Sequence, residues 1–344
     1  MRRFPGGCFF ASLVITAGSA HAAPLPQLNI DKSQTTVSGA SSGGYMAVQL
    51  HVAYSATFKK GAGVLSGGPY NCAEASVLNA IGRCLGRLPI PVDALVATTN
   101  EWAKTGVIDP TSNLATSKVY LFSGAKDSVV PQSTSADLQS YYLNYLPATN
   151  IVFKKDIEAE HAVVTDDYGA TCLTKAAPFI NNCGFDLAGA MLQHLYGGLN
   201  PRSKSVAESN LIEFDQTRFV SGSGMAATGW VYVPKSCTAG ATCRVHVALH
   251  GCKQNTADVG HEFIRNAGYN RWADTNNMIV LYPQTSQKAT NSCWDWWGYT
   301  DANHAKKSAP QMKAIVAMLT QLASGSSAAK PPTAAPPVLP PTTR

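Results

Sequence analysis

Gly39-Ala40-Ser41-Ser42-Gly43 is the only G-x-S-x-G in the chain. Small residues on both sides of a serine are what a strained strand-to-helix turn requires. A β-like run, Thr35–Ser38, precedes it and a helix-like run, Gly44–Tyr54, follows, so Ser41 Oγ is expected to stand above a sheet as a nucleophile. A serine hydroxyl is weak until a base takes its proton, and the base needs a carboxylate to orient it. Val119-Tyr120-Leu121-Phe122-Ser123 reads as a strand and runs straight into Gly124-Ala125-Lys126-Asp127, which makes Asp127 the preferred acid. The next strand contains Ile151-Val152-Phe153, and His161 lies just past it, where the base belongs. Each has a purely structural alternative: a Gly/Ser turn, a capping aspartate, a surface-loop histidine. The competitors fit less well, since Asp137 looks like a helix-face residue, His51 and His194 fall inside helical patterns, and His304 lies in a polar loop.

A developing oxyanion needs N–H donors aimed at it. The backbone N–H of Ser42, at a helix N-terminus, is the first candidate. In the usual α/β-hydrolase order the second donor follows an H-G pair upstream of the nucleophile. Here barely a strand's worth of mature chain precedes Ser41. The best H-G follows the strong strand Val245-His246-Val247-Ala248-Leu249, as His250-Gly251-Cys252, so Cys252 N–H becomes the second donor. The same parts in a rotated order imply a circular permutation, because a site requires spatial neighbours and not chain order.

Trp294, Asp295, Trp296 and Trp297 follow Cys293 directly. Three tryptophans within four residues cannot all face one core from a helix or a strand, so at least one is expected at a cleft. Stacked rings there suit an acyl chain or a sugar. Trp294, Trp296 and Trp297 are therefore candidate substrate contacts, and Asn291 on the same loop could offer its amide to an ester carbonyl.

The positioning elements read as α/β. Candidate strands are Thr35–Ser38, Ala62–Ser66, Lys118–Ser123, Ile151–Asp156, Gly229–Val233, Arg244–His250 and Met278–Pro283. Candidate helices are Gly44–Tyr54, Ser135–Tyr145, Asp186–Tyr196, His261–Thr275 and Met312–Ala323. Alternation of this kind predicts a single mostly parallel sheet flanked by helices. The polar stretch Gly197–Ser209 reads as a surface loop. The chain has 344 residues, 45% hydrophobic and 14% charged, enough for a full core and too little charge for disorder. No apolar run past the N-terminus approaches the length that spans a bilayer. The formal charge of +6 is concentrated at the ends: without Arg2, Arg3, Lys330 and Arg344, 23 Lys+Arg face 21 Asp+Glu. A net of +2 with no basic run argues against nucleic acid as a partner.

Met1-Arg2-Arg3, the apolar stretch from Cys8 to Ala17 and Ala20-His21-Ala22 read as a secretory signal over residues 1–22, so the protein is expected to be secreted. A catalytic domain is expected over 23–323. Residues 324–344, rich in Pro, Thr and Ala, read as a linker-like tail that leads either to a further module or to a free end. Removing Cys8 leaves eight cysteines, an even number that suggests disulfides although 105 pairings are possible. Three pairs are close in sequence, Cys72/Cys84, Cys172/Cys183 and Cys237/Cys243, and each is taken to close a local loop. Cys252 and Cys293 then pair by elimination. Zinc is a poor alternative, since there is no C-x-x-C and the H-E-x-x-H begun at His261-Glu262 is broken by Arg265. No metal or organic cofactor is suggested.

Five segments together resemble a known family. They are V-S-G-A-S-S-G-G-Y-M-A around Ser41, S-G-A-K-D-S-V-V around Asp127, E-H-A-V around His161, A-L-H-G-C ending at Cys252, and N-S-C-W-D-W-W-G-Y from Asn291 to Tyr299. In this order, covering residues 35 to about 320, they are similar to extracellular poly(3-hydroxybutyrate) depolymerases with a circularly permuted α/β-hydrolase domain. The resemblance implies a serine esterase that cleaves the polyester to monomers and short oligomers. It carries the triad to Ser41, Asp127 and His161, the oxyanion donors to Ser42 and Cys252, and acyl-unit contacts to Asn291 and Trp296. Many such enzymes append a polymer-binding module through a linker; this sequence departs from that pattern by stopping in its tail. Two other readings stay open: the same triad acting on feruloyl or acetyl esters of polysaccharide, and a secreted polymer-binding protein without catalysis. Protein partners are not indicated.

Overall fold

The computed structural model describes residues 22–86, 88–220 and 224–325. The expected leader and tail fall almost wholly outside the described residues. In chain order the strands are β1 Thr36–Ala40, β2 Gly61–Leu65, β3 Lys118–Phe122, β4 Ile151–Lys154, β5 Val163–Thr165, β6 Ala170–Thr171, β7 Ile180–Asn182, β8 Leu211–Asp215, β9 Thr228–Tyr232, β10 Arg244–Leu249 and β11 Met278–Tyr282. Eight form one sheet in the order β4-β3-β2-β1-β10-β11-β9-β8, parallel except at β9 and β8. The mostly parallel sheet is as expected, but it is not alone: β5, β7 and β6 form a second, three-stranded parallel sheet.

β1 sits at the centre, paired with β2 on one side and with β10, some two hundred residues later, on the other. All five of its residues are buried, as a parallel strand covered on both faces must be. Two of those residues are polar and share one partner. Thr36 Oγ1 lies 2.7 Å from His246 Nδ1, and Ser38 Oγ lies 2.7 Å from His246 Nε2. Burial lowers the His246 pKa to about 3, so the ring is neutral and each nitrogen finds a hydroxyl. β1 and β10 are thereby tied through side chains as well as through the ladder.

Helix α1, Ser42–Ala53, springs from the end of β1 and is buried on every side. The helices Gln132–Tyr142, Leu187–Tyr196 and Pro310–Leu322 flank the sheet, and Val92–Lys104 packs against Gln132–Tyr142. The long helix expected over His261–Thr275 is instead two, Glu262–Asn266 and Tyr269–Thr275, because Gly268 adopts a left-handed φ of 93° between them. The stretch 197–209 is loop, as expected, apart from the start of a short 3-10 turn at Glu208–Asn210. All four expected disulfides form: Cys72–Cys84, Cys172–Cys183, Cys237–Cys243 and Cys252–Cys293.

The turn from β1 into α1 is a tight backbone contact beside Ser41. A Cβ on Gly39 would lie 2.2 Å from the Gly43 carbonyl oxygen. One on Gly43 would lie 2.4 Å from the carbonyl oxygen of Leu249 and 2.5 Å from that of His250. No side chain can give way there, because the atoms struck are backbone. Gly43→Ala is therefore expected to destabilise the fold by about 3 kcal/mol or more, read as a lower urea midpoint at unchanged slope; a midpoint equal to wild type would show that the contact relaxes freely.

Candidate active site

Ser41 has φ 53° and ψ −119°, a left-handed conformation for a residue with a side chain. Its N–H donates to the Leu65 carbonyl at 2.8 Å and its carbonyl accepts from Tyr45 N–H at 3.0 Å. The main chain is thus held by β2 and by the first turn of α1, which sustains the strain. Ser42 is the first residue of α1, at the end where N–H groups lack intrahelical partners.

Asp127 and His161 come together from loops after β3 and β4. His161 Nδ1 lies 2.9 Å from Asp127 Oδ2 and 3.0 Å from Oδ1. The Asp127 side chain is 1% exposed and that of His161 15%. Burial alone would raise the carboxyl pKa. Hydrogen bonding and charge from His161, with bonds from Ser66 and from Val130 N–H, outweigh it and hold Asp127 below the ordinary carboxylate value. Asp127 Oδ1 also accepts from Val129 N–H at 2.9 Å and Val130 N–H at 2.8 Å. An ionised carboxylate only accepts, so Nδ1 carries the proton, and in the neutral ring Nε2 keeps a lone pair with which to act as a base. The two loops are joined by their backbones: Ala125 N–H donates to Ile157 O at 2.7 Å and Lys126 N–H to Ala159 O at 3.1 Å. Glu160 adds a clamp, accepting from Ser128 N–H at 3.1 Å and from its hydroxyl at 2.7 Å.

The loop after β10 is held from behind. Burial lowers the His250 pKa to about 4, although the Gly251 carbonyl and Asp258 oppose the shift. The neutral ring donates from Nδ1 to Gly251 O at 2.7 Å and accepts at Nε2 from Thr285 N–H at 3.2 Å. Gly251 N–H is itself occupied, donating to Gln254 Oε1 at 2.8 Å. The next N–H along is that of Cys252, which borders the cavity. The Cys252–Cys293 bridge ties it to the tryptophan loop. Lys253 N–H, donating to Asn291 O at 3.1 Å, adds a second link.

Ser41, Ser42, His161, Cys252, Asn291, Trp296 and Trp297 all border one cavity of about 620 Å³. Its remaining wall is largely apolar, from Leu65, Val77, Ile81, Leu85 and Phe179 among others. Among the described residues no hydrogen bond closes Ser41 onto His161; such bonds are often long before substrate binds. Trp294 is a correction. It is 0% exposed and does not border the cavity; its indole N–H donates to the His250 carbonyl at 3.0 Å, so it braces the loop after β10 from inside. The bridge draws this part of the loop inward, and burying an indole requires a partner for its N–H. Trp296 is also largely buried but reaches the cavity, stacked on Tyr45 at 4.2 Å with Trp297 edge-on to it at 5.1 Å. His51, His194 and His304 do not border the cavity.

Several contributors escaped sequence reasoning. Ser66 and Phe179, on loops, and Val77, Ala80, Ile81 and Leu85, on or just after short helical turns, line the cavity with no motif to mark them. Asp295 organises the tryptophan loop, accepting from the N–H groups of Gly298, Tyr299 and Thr300 at 2.7, 2.9 and 3.0 Å. Only the last had a signal, an acid amid aromatic residues.

The comparisons with known proteins agree with this arrangement. The family model described as Esterase PHB depolymerase matches residues 229–326. A poly(3-hydroxybutyrate) depolymerase of Delftia acidovorans is 62% identical over 320 residues, covering 92% of this chain and 65% of that protein. A polyhydroxybutyrate depolymerase of Talaromyces funiculosus is 37% identical over 330 residues, covering 91% of this chain and 96% of that one. The chain belongs to the PHB depolymerase family. It spans just under two thirds of the Delftia relative's length. The crystal structure of PHB depolymerase from Penicillium funiculosum matches with a TM-score of 0.82 at 37% identity, over 88% of this chain and 99% of that one. A serine-to-alanine PHB depolymerase complexed with R3HB trimer matches equally well. Within the PHB depolymerase family, the late-arriving β10 beside the central β1 is therefore part of a shared fold.

If Asp127 orients His161 as drawn, Asp127→Asn should leave the fold intact and lower kcat on a soluble ester by about 10³–10⁴-fold. Steady-state kinetics with a parallel unfolding curve checks this; a loss below about tenfold would remove Asp127 from the role.

Proposed function

We propose that the chain is a secreted serine esterase that hydrolyses poly(3-hydroxybutyrate)-type polyester to hydroxyacid monomers and short oligomers, through a catalytic domain over 23–323. The observation that carries this reading is the opening of a strained Ser41 and a carboxylate-bound His161 onto one apolar cavity. His161 Nε2 takes the proton of Ser41 as Oγ attacks the ester carbonyl. The charge on the tetrahedral oxygen falls between Ser42 N–H and Cys252 N–H. The alkoxide leaves with the proton from His161, giving an acyl-enzyme, and water activated by the same imidazole then releases the hydroxy acid. Asp127 stabilises the imidazolium in both halves.

Support for the substrate class comes from the relatives' names, from the R3HB trimer in the related complex, and from the shape of the mouth. Aliphatic ester units suit a cavity walled by Leu65, Ile81, Leu85 and Trp296 better than a hydroxylated sugar would. Val77, Leu78 and Ile81 remain exposed at 54%, 78% and 54%, with Val77 and Ile81 on the cavity wall, so an apolar chain meets apolar surface as it enters. The four disulfides fit an oxidising compartment, and among the described residues no helix is long and apolar enough to cross a membrane.

Clearing of a polyhydroxybutyrate suspension, with hydroxybutyrate and its oligomers in solution, is the expected result. Ser41→Ala should lower turnover by about 10⁴-fold or more. Release of ferulate or acetate from polysaccharide without clearing would reassign the substrate, and full clearing by Ser41→Ala protein would remove the mechanism.

A further inference from the structure

Gln254 is buried, borders the cavity and belongs to no motif. Its side chain makes three hydrogen bonds of two opposite kinds. Oε1 accepts from Gly251 N–H at 2.8 Å, while Nε2 donates to the carbonyls of Pro178 at 2.9 Å and Phe179 at 3.1 Å. A side-chain amide supplies both ends, and these partners admit one orientation of it. The Phe179 carbonyl is shared, since it also accepts from Val163 N–H at 2.9 Å. Val163 opens β5, two residues beyond His161, and pairs with Ile180 of β7. At the other end Gly251 stands against the nucleophile, where an added Cβ would lie 3.5 Å from that of Ser41. Gln254 thus spans from the loop that carries Cys252 to the small sheet that follows His161.

We propose that Gln254 is a positioning residue for catalysis: by occupying Gly251 N–H it leaves Cys252 N–H as the loop's donor to the oxyanion, and it holds that donor in register with the His161 imidazole. The proposal rests on the serine-esterase reading given above. Its physical basis is that a donor displaced by about 1 Å costs on the order of 10²-fold in rate, and that a buried N–H without an acceptor pulls its loop toward another partner.

Two variants separate the ends of the strut. Gln254→Leu keeps bulk and loses both functions. Gln254→Glu keeps an acceptor for Gly251 N–H but turns a carboxylate oxygen toward two carbonyls. On a soluble ester, kcat of Gln254→Leu is expected to fall about 10–100-fold while KM changes less than about threefold. Affinity for a boronic acid, whose serine adduct places an oxygen where the oxyanion forms, should fall by the same factor. Gln254→Glu should also lose kcat, because the link to Pro178 and Phe179 is broken. Thermal midpoints are read alongside, and if Gln254→Leu does not fold, Gln254→Glu carries the comparison. A folded variant with kcat within about twofold of wild type overturns the inference, as does a loss of kcat with unchanged boronic-acid affinity. Wild-type turnover abolished by Ser41→Ala is the control. Its absence counts against the esterase reading itself, whereas its presence with unaffected Gln254 variants sinks only this inference.

Discussion

The close contact of three backbones, at the end of β1, the first turn of α1 and the end of β10, is the constraint on which the site depends. Gly43 lies where any Cβ would strike the Leu249 and His250 carbonyls, so the nucleophile turn and the loop after β10 are as near as main chains can be. That distance sets how far apart the N–H groups of Ser42 and Cys252 can stand, and therefore whether both can reach one oxygen. A contact between main chains is stiff, because neither side has a rotamer to change. Behind it, His246 joins β1 to β10 through two hydroxyls, and His250 fixes the carbonyl of Gly251. Both rings are neutral because burial disfavours their charged forms.

Asp127 and His161 are placed on a different plan. Their loops leave adjacent parallel strands, β3 and β4, and are joined by main-chain bonds between residues 125–126 and 157–159. Asp127 then needs little freedom of its own. Two backbone N–H groups hold one oxygen, and the imidazole bridges both. A carboxylate so surrounded stays ionised despite its burial, which is the condition for stabilising an imidazolium through two half-reactions. Disulfides and loop bonds complete the site where the sheet cannot reach: Cys252–Cys293 couples the loop after β10 to the segment of Trp296 and Trp297, and Tyr45 OH donates to the Cys84 carbonyl at 2.5 Å, tying the cavity's apolar rim to α1.

Much of this was legible in the sequence, for physical reasons. β2, β3, β10 and β11 are short, largely apolar runs buried on both faces, as is β1 apart from Thr36 and Ser38, and such strands announce themselves by composition. Ser41, Asp127 and the loop to Cys252 could be placed as candidates because each comes just beyond such a strand, and His161 because it lies past the half-buried β4. β8 was missed because it is a half-exposed edge strand, Leu-Ile-Glu-Phe-Asp, whose pattern is weak. β5, β6 and β7 were missed because strands of two or three residues carry no period at all. The helix Val92–Lys104 was also missed; it buries only Leu95 and Thr99. Trp294 was misplaced because sequence shows that three rings cannot share one core but not which of them turns inward. Glu160, Ser66 and Gln254 act through partners remote in the chain or through bare carbonyls, for which no spacing exists to read.

The convergence of Ser41, His161 and the two N–H donors is tested most directly by a fluorophosphonate, which reacts with a serine only when base and oxyanion donors act on it together. Intact mass and peptide mapping after brief exposure should show one adduct, on Ser41, forming on folded protein and not on protein unfolded in urea. A folded protein that takes up no label, or takes it on any other residue, contradicts the account.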